Sequence, residues 1–594
     1  TDPTSAVVTR PAIRRTAVSR SLPIEFRCPL ISRPGRNDII AERAMLFVHV
    51  AVCVVHLAPT RLRVDGSDWT TGSPNAFALS ASASPTFTWA PMITTNGQAQ
   101  SAFEITVTEA MGDRNLVWHQ VVTSARPWFR WPSLAPRFRP ATTYEWTVVT
   151  HDDQGEVSPA SEAGRFHVAD DDWSSVAWLG SDQHNVYRAD FGVPAGASTI
   201  MLYICGLGYS AVTVNGAPVP NLTLATAPWT NNARLNGFSS LDIMALLVSN
   251  ARGNQTVGVE LGEGWRGNIF NNKDGDVSAA GTIKRVLRAK VVATLPDGSM
   301  KTLTQTGDSA WVASTGATTY DNVYNGETYD ARLARTKRLH GWATPTFAGR
   351  HLWEAPAVLG GVDAPAGAMV PWSAPRVMVR DVRAPIAVAS PRPNLYVVDF
   401  GANIAGVCEL RKVVCPAGTS ITLRHAEIMQ HAGLPDLHNQ SDPAMIYTGN
   451  LRGAKATDVY ICSGAAEGET WSPKLTYHGF RFVEVNISAP VAFAATNIAL
   501  LHFHSALEQR THANFSSATL NRMQKMALGA QRSNFMTVLS DPPHATRQTP
   551  YARPYATRLT PHIAHRTPHA TCYTPHTTRL TPDTSQLRPH TVHH

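Results

Sequence analysis

Apolar and polar positions alternate along most of this chain. Phe87 and Trp89 take every second place after Pro85, Phe103, Ile105 and Val107 do so next, and Tyr144, Trp146 and Val148 repeat the pattern after Pro140. A period of two sends successive side chains to opposite faces of a strand, so each run predicts one buried face and one wetter face. Turn residues separate the runs, and His151-Asp152-Asp153-Gln154-Gly155 closes the last pair. An antiparallel sandwich over 62–168 follows. Ile200-Met-Leu-Tyr-Ile204 then leads through Gly206-Leu-Gly208-Tyr209 and Ala211–Val214 into Asn215-Gly216. Asn-Gly between apolar strands signals a hairpin, because both turn residues take positive φ. This predicts a second β unit over 172–345. A third, over 376–500, contains Val397-Val-Asp399-Phe-Gly401 and Leu475-Thr-Tyr477-His-Gly479-Phe480-Arg481-Phe482.

Near residue 511 the period changes. Leu520, Met523, Gln524, Ala527 and Leu528 keep helical spacing after Ser516-Ser517, which has the chemistry of an N-cap, and one helix is expected from Asn521 to Met536. The fold class is therefore mainly β: tandem antiparallel β-sandwiches followed by a short helical start over 511–541. The composition agrees. Of 594 residues, 43% are hydrophobic and 16% charged, which rules out wholesale disorder, and 41 Pro with 40 Gly suit strands and turns. Seven Cys with no Cys-x-x-Cys pair exclude a disulfide scaffold and a structural zinc ribbon.

The net charge of +8 suggests a nucleic-acid binder until it is located. Residues 1–44 carry eight Arg against four acids, and 542–594 carry six Arg against Asp583 alone, so the body between them is close to neutral. Nucleic-acid binding needs a basic face on a folded domain, so no nucleic-acid partner is expected. Segment 1–44 reads as a disordered basic arm. The run Leu46–Leu57 is too short to span a bilayer, and no membrane partner is expected. Segment 45–61, with Arg43 upstream, has the form of a secretory signal if translation starts at Met45; a buried strand is the competing reading. The first makes the protein secreted, the second cytoplasmic. Five Asn-x-Ser/Thr sequons, at Asn221, Asn254, Asn439, Asn486 and Asn514, lean toward secretion.

In 542–594, prolines recur every seven residues from Pro554 to Pro589. That spacing excludes a helix, and there is no apolar set to bury, so the Pro/His/Thr heptad repeat reads as low-complexity sequence. A 21-base tandem repeat, frame-shifted or without function, explains the period; eight His also allow weak metal binding. Gly206-x-Gly208 lacks the third glycine and the helix of a dinucleotide site. Trp265, framed by Gly264 and Gly267, reads equally as a packing residue or a sugar platform.

Leu134-Ala-Pro136…Pro140…Tyr144-Glu-Trp146 resembles the fibronectin type III pattern. Across about 62–541 a longer ordered series resembles the α-L-rhamnosidases of glycoside hydrolase family 78. It comprises Gly206-Leu-Gly208-Tyr209…Val214-Asn215-Gly216, Pro228-Trp229-Thr230, Leu261-Gly-x-Gly-Trp265, Gly326-Glu327-x-Tyr329-Asp330-Ala331-Arg332, Asp399-Phe-Gly-x-Asn403-x-x-Gly406, His425-Ala426-Glu427, Thr457-Asp458-x-Tyr460 and Tyr477-His-Gly-Phe-Arg481. The resemblance implies a rhamnose-binding-type sandwich at 172–345, a concanavalin-like sandwich at 376–500, and an (α/α)6 toroid carrying catalysis. Only the first helix or so of that toroid is expected within 511–541. Ser533-Asn534 and Ser540-Asp541 match its opening motif, but Pro542 stands where Cys is expected and His544-Ala-Thr546 where Arg and an acid would follow. Asp541 is the one active-site position the resemblance places, as a substrate contact; the general acid and base are missing.

The implied activity is hydrolysis of terminal α-L-rhamnose with inversion, on rhamnose-containing glycosides or polysaccharides and with no required cofactor. Inversion needs two carboxyl groups about 6.5–9.5 Å apart. Glu327, Asp330, Glu427, Asp458 and Glu484 each read as a turn-capping or salt-bridging acid, so the chain as written is expected to be inactive. The resemblance also implies that the 172–345 module can hold rhamnose through calcium, for which Asn231, Asn232, Asn271, Asn272 and Asp274 are candidate oxygen donors. The alternative is a non-catalytic rhamnoside- or carbohydrate-binding protein.

Overall fold

The computed structural model describes residues 57–66, 78–79, 83–91, 99–110, 114–220, 224, 230–247, 253–266, 285–372, 375–431, 442–507, 509 and 511–539. The basic arm 1–44, most of segment 45–61, Asn271, Asn272, Asp274, Asp541 and the repeat 542–594 lie outside them.

The first alternating runs become two facing sheets. Thr60–Val64, Thr86–Ala90 and Trp128–Arg130 make one; Ala78–Leu79, Gly164–Val168, Thr142–Asp152, Gln100–Glu109 and Leu116–Thr123 make the other, in that order. Phe87 from the first sheet meets Trp146 and Phe166 from the second edge-on at 4.9 and 5.6 Å. Phe103, Ile105 and Val107 are buried while Glu104 and Thr106 between them are partly exposed. Each such buried side chain contributes about 1.5–3 kcal/mol.

The second module also sandwiches two sheets. One runs Ala217–Pro218, Tyr209–Val214, Asn254–Gly262, Val186–Gly192, Trp311–Ser314; the other centres on Thr199–Leu207 between Val286–Thr294 and Leu235–Asp242. Tyr187, Val257 and Val259 from the first meet Ile200, Leu202 and Leu287 from the second in one core. Asn215 and Gly216 take φ of 54° and 84°, the left-handed pair the hairpin demands. The first and second modules are bonded together. His167 is fully buried and sits 2.7 Å from the Tyr203 hydroxyl, and Lys290 pairs with Asp170 at 2.8 Å beside the Trp173 ring.

The third module is built along Leu395–Val413, a 19-residue strand flanked by His478–Ile487 and Ile498–Ser505. A register shift between Asp399 and Ile404, with Gly401 at φ +78°, bends it. Residues 318–330, placed by sequence pattern in the 172–345 module, hydrogen-bond into this third sheet instead: Gly326–Asp330 runs parallel to Thr457–Ile461. Pairing so distant in sequence leaves no local signal. Conversely Ala368–Pro371 joins Leu235–Asp242 of the second module.

The helix runs Ala518–Asn534, and the Ser517 hydroxyl caps it by accepting from the Leu520 amide at 3.4 Å. Its last turn is anchored where the Ala405 amide donates to Ser533 Oγ and Met536 enters the core beside Tyr477 and Phe503. Leu520 and Met523 are exposed, so the helix presents apolar side chains to solvent. No described helix is long and apolar enough to cross a membrane.

Candidate functional site

Motifs that are scattered in sequence converge in the third sheet. Its strands lie in the order Thr318–Asn322, Gly326–Asp330, Thr457–Ile461, Ser420–Ala426, His478–Ile487, Leu395–Val413. This brings Glu327, Asp458, His425 and His478 onto neighbouring strands. The Glu327 amide donates to Asp458 Oδ1 at 2.9 Å, and His478 Nε2 lies 3.1 Å from both Asp458 oxygens. The His425 and His478 rings stack at 4.3 Å. Gly326 is required here: a Cβ would sit 2.0 Å from the Thr457 carbonyl oxygen, and its φ is +105°.

Four of the five acids singled out in the sequence, Glu327, Asp330, Glu427 and Asp458, have a structural task. Glu327 is fully buried, and its Oε2 accepts from the Lys474 and Leu475 amides at 2.9 and 2.8 Å. Burial, with the nearby Glu260 charge, holds its carboxyl well above the usual range. Asp330 caps the short helix after it and takes Arg332 bidentately at 3.0 and 2.8 Å; that pairing holds its carboxyl low. Glu427 accepts from Asn403 at 3.0 Å and Asn450 at 2.7 Å. Asp458 is fully buried, which raises its carboxyl to about 6. Glu484 is pushed up by burial as well. Asp399 and Arg481, from two further motifs, form a bidentate pair at 2.8 and 2.7 Å with the guanidinium over the Phe482 ring. None of these acids is an exposed carboxyl facing a second one across a cleft.

Of the candidate calcium donors, two are described. Asn231 Oδ1 accepts from the Ala233 amide at 3.1 Å, closing its own turn. Asn232 is buried, and its Oδ1 accepts from the Arg266 guanidinium at 3.0 Å. An oxygen held against a guanidinium does not fit a divalent cation, which that positive charge would repel. Trp265 packs edge-on against Tyr324 at 5.8 Å within the core shared by the second and third modules. The two glycine motifs of the second module form one contact: a Cβ on Gly208 would lie 2.2 Å from the Gly262 carbonyl oxygen.

Two features escaped sequence reading. Cys415 and Cys462 form a disulfide across 47 residues. Beside it Glu469 accepts from the Tyr460 hydroxyl at 2.6 Å and from the Ser463, Gly464 and Ala465 amides at 2.9, 2.8 and 3.0 Å. The available signal was a Cys at each end of a strand–turn region, which seven scattered Cys did not isolate.

Comparison with known proteins follows the same order of modules. A family described as the Rha78A-like N-terminal immunoglobulin domain matches residues 72–169, the α-L-rhamnosidase N-terminal domain matches 196–381, and the bacterial α-L-rhamnosidase concanavalin-like domain matches 390–504. An α-L-rhamnosidase of Streptomyces avermitilis is 30% identical over 385 residues, covering 62% of this chain and 33% of that protein. One from Formosa agariphila is 25% identical over 494 residues, covering 78% of this chain and 49% of its own. The chain thus spans a third to a half of the length of these relatives. In fold it matches the α-L-rhamnosidase of Dictyoglomus thermophilum with a TM-score of 0.70 at 23% identity, over 83% of this chain and 54% of that one. The S. avermitilis enzyme complexed with L-rhamnose matches with a TM-score of 0.69 at 20% identity, over 82% and 61%. In fold, and in the order of its immunoglobulin-type, N-terminal and concanavalin-like modules, this chain resembles the α-L-rhamnosidases.

Proposed function

We propose that the protein is an α-L-rhamnosidase-like glycoside hydrolase acting on terminal α-L-rhamnose with inversion, and that residues 57–539 serve recognition and support rather than bond cleavage. The observation that carries this reading is the ordered match of three modules combined with the fate of their acids. Inversion requires one carboxyl kept protonated to give its proton to the leaving oxygen, and a second to activate water on the opposite face. Glu327 and Asp458 are sealed in the sheet, Asp330 is bound to Arg332, and Glu427 is held by two Asn side chains. None can reach a glycosidic oxygen. The acid and base therefore come from outside these sheets, and the 594-residue chain by itself binds rhamnosides without turning them over.

The test is a calorimetric titration of the chain with L-rhamnose, with and without EDTA, beside an assay for p-nitrophenol release from its α-L-rhamnoside. Millimolar binding, on the order of −4 kcal/mol, with no release is expected. Binding that survives EDTA leaves calcium no role, and absence of binding removes recognition from these modules. Secretion belongs to the same proposal and is supported by the Cys415–Cys462 disulfide, since such bonds persist in oxidising compartments.

A further inference from the structure

The His425, Asp458 and His478 side chains form a fully buried cluster whose ligand atoms all lie within 4.8 Å of one another. They come from three adjacent strands of the third sheet, Ser420–Ala426, Thr457–Ile461 and His478–Ile487. We propose that this cluster is a structural zinc site, with His425 Nε2, His478 Nε2 and the Asp458 carboxylate as its protein ligands.

Three observations support it. His425 Nδ1 lies 3.0 Å from the Ala456 carbonyl oxygen, which only accepts, so Nδ1 carries the proton and Nε2 keeps its lone pair. A carbonyl behind the far ring nitrogen is the arrangement that fixes the tautomer of a metal-bound histidine. Second, that Nε2 is buried with no hydrogen-bond partner among the described residues, and a buried polar atom left so calls for an explanation. Third, the ligand atoms lie near the spacing an ion needs. Zinc bonds of about 2.0–2.1 Å put neighbouring ligand atoms about 3.3 Å apart; His478 Nε2 is 3.1 Å from Asp458, and His425 Nε2 is 3.8 Å from it. The two stacked rings must turn relative to each other on binding for both Nε2 lone pairs to meet on the ion.

Charge points the same way. Asp458 is fully buried, and no Lys or Arg forms an ion pair with it among the described residues. A divalent ion would neutralise a buried carboxylate that is otherwise costly. On binding, the His478 proton moves from Nε2 to Nδ1, so that Nε2 presents a lone pair. The cluster is sealed within the sheet, so the ion enters during folding and exchanges slowly. Two imidazoles and a carboxylate are ligands that zinc shares with other divalent transition ions, so elemental analysis identifies the metal.

The test is elemental analysis of the full 594-residue chain, expressed with zinc present and gel-filtered in EDTA. About one zinc per chain should remain, and His425→Gln should lower it at least tenfold. Zinc-edge X-ray absorption of the wild type should show only nitrogen and oxygen neighbours, a readout that stands even if the variant does not fold. A folded chain free of EDTA-resistant zinc would overturn the proposal. So would zinc retained in full by His425→Gln, which would place it elsewhere, such as the His-rich segment 542–594, or sulfur neighbours, which would place it on Cys415 and Cys462.

Discussion

Glu469 is the most sharply testable structural position in the third module. Its carboxylate receives four hydrogen bonds of 2.6–3.0 Å, three of them from the successive amides of Ser463, Gly464 and Ala465. Replacing it with Gln keeps the shape but turns one acceptor oxygen into a donor. The remaining oxygen can serve two donors, and the Tyr460 hydroxyl can rotate to accept, so one backbone amide is left facing a donor. A stranded buried group costs about 1–3 kcal/mol, so Glu469→Gln should lose roughly that much. Glu469→Ala strands every donor and should lose about twice as much or more.

The loss has a pH signature. Burial pushes the Glu469 carboxyl up, but the hydrogen bonds from Ser463, Tyr460, Ala465 and Gly464 outweigh it and hold the group below its usual value. A depressed folded value means that the unfolded chain binds the proton more tightly. The stabilisation is therefore present above the unfolded carboxylate range and is lost as pH falls through the folded value. Glu469→Gln lacks this dependence. The assay is urea unfolding of the oxidised protein at several pH values, with hydrogen exchange at Ser463, Gly464 and Ala465 as the local readout. A Gln variant within about 0.5 kcal/mol of the parent, with those amides exchanging at parental rates, would refute the reasoning.

Phe87→Ala opens the aromatic core of the first module and should cost about 3–5 kcal/mol in urea unfolding; under about 1 kcal/mol would mean the core is not packed around that ring. Gly326→Ala places a Cβ against the Thr457 carbonyl at positive φ, so its melting temperature should fall steeply, and an unchanged one would contradict the parallel pairing there. His167 is fully buried and burial lowers its pKa to about 3. Its folded value lies below the unfolded one near 6.5, so stability is complete above that and falls as pH drops toward 3, by roughly 5 kcal/mol in all. His167→Gln should flatten the acid limb of the stability curve, and an unaltered slope would show that the imidazole is not held neutral.

The sequence made the strands legible wherever one face of a sheet is buried. Phe103, Ile105 and Val107 announce their strand by alternation, and Asn215-Gly216 announces its hairpin, because a two-residue period and positive φ are local requirements. The helix was legible for the same reason: its cap lies within four residues of its first apolar position. Partners far apart in sequence were not. Glu327 reads as a turn-capping or salt-bridging acid, yet it is fully buried and held by the Lys474 and Leu475 amides, 147 and 148 residues away. The boundary near 345 and the Cys415–Cys462 bond depend on similar long-range pairing. Asn232 reads as an oxygen donor for a cation, but Arg266, 34 residues on, occupies that oxygen.

The central claim is recognition of rhamnosides by sandwiches whose own acids are committed to structure. One nuclear magnetic resonance experiment tests it directly: p-nitrophenyl α-L-rhamnoside is incubated with the purified 594-residue chain, saturation transfer from protein to ligand is recorded, and the anomeric signals are followed over time. The account predicts transfer to the rhamnose ring protons and an anomeric signal that does not change. Absence of transfer would remove recognition, while free rhamnose appearing first as the β anomer would mean that an acid and base act within this chain, with Glu327, Asp330, Glu427 and Asp458 the first positions to mutate.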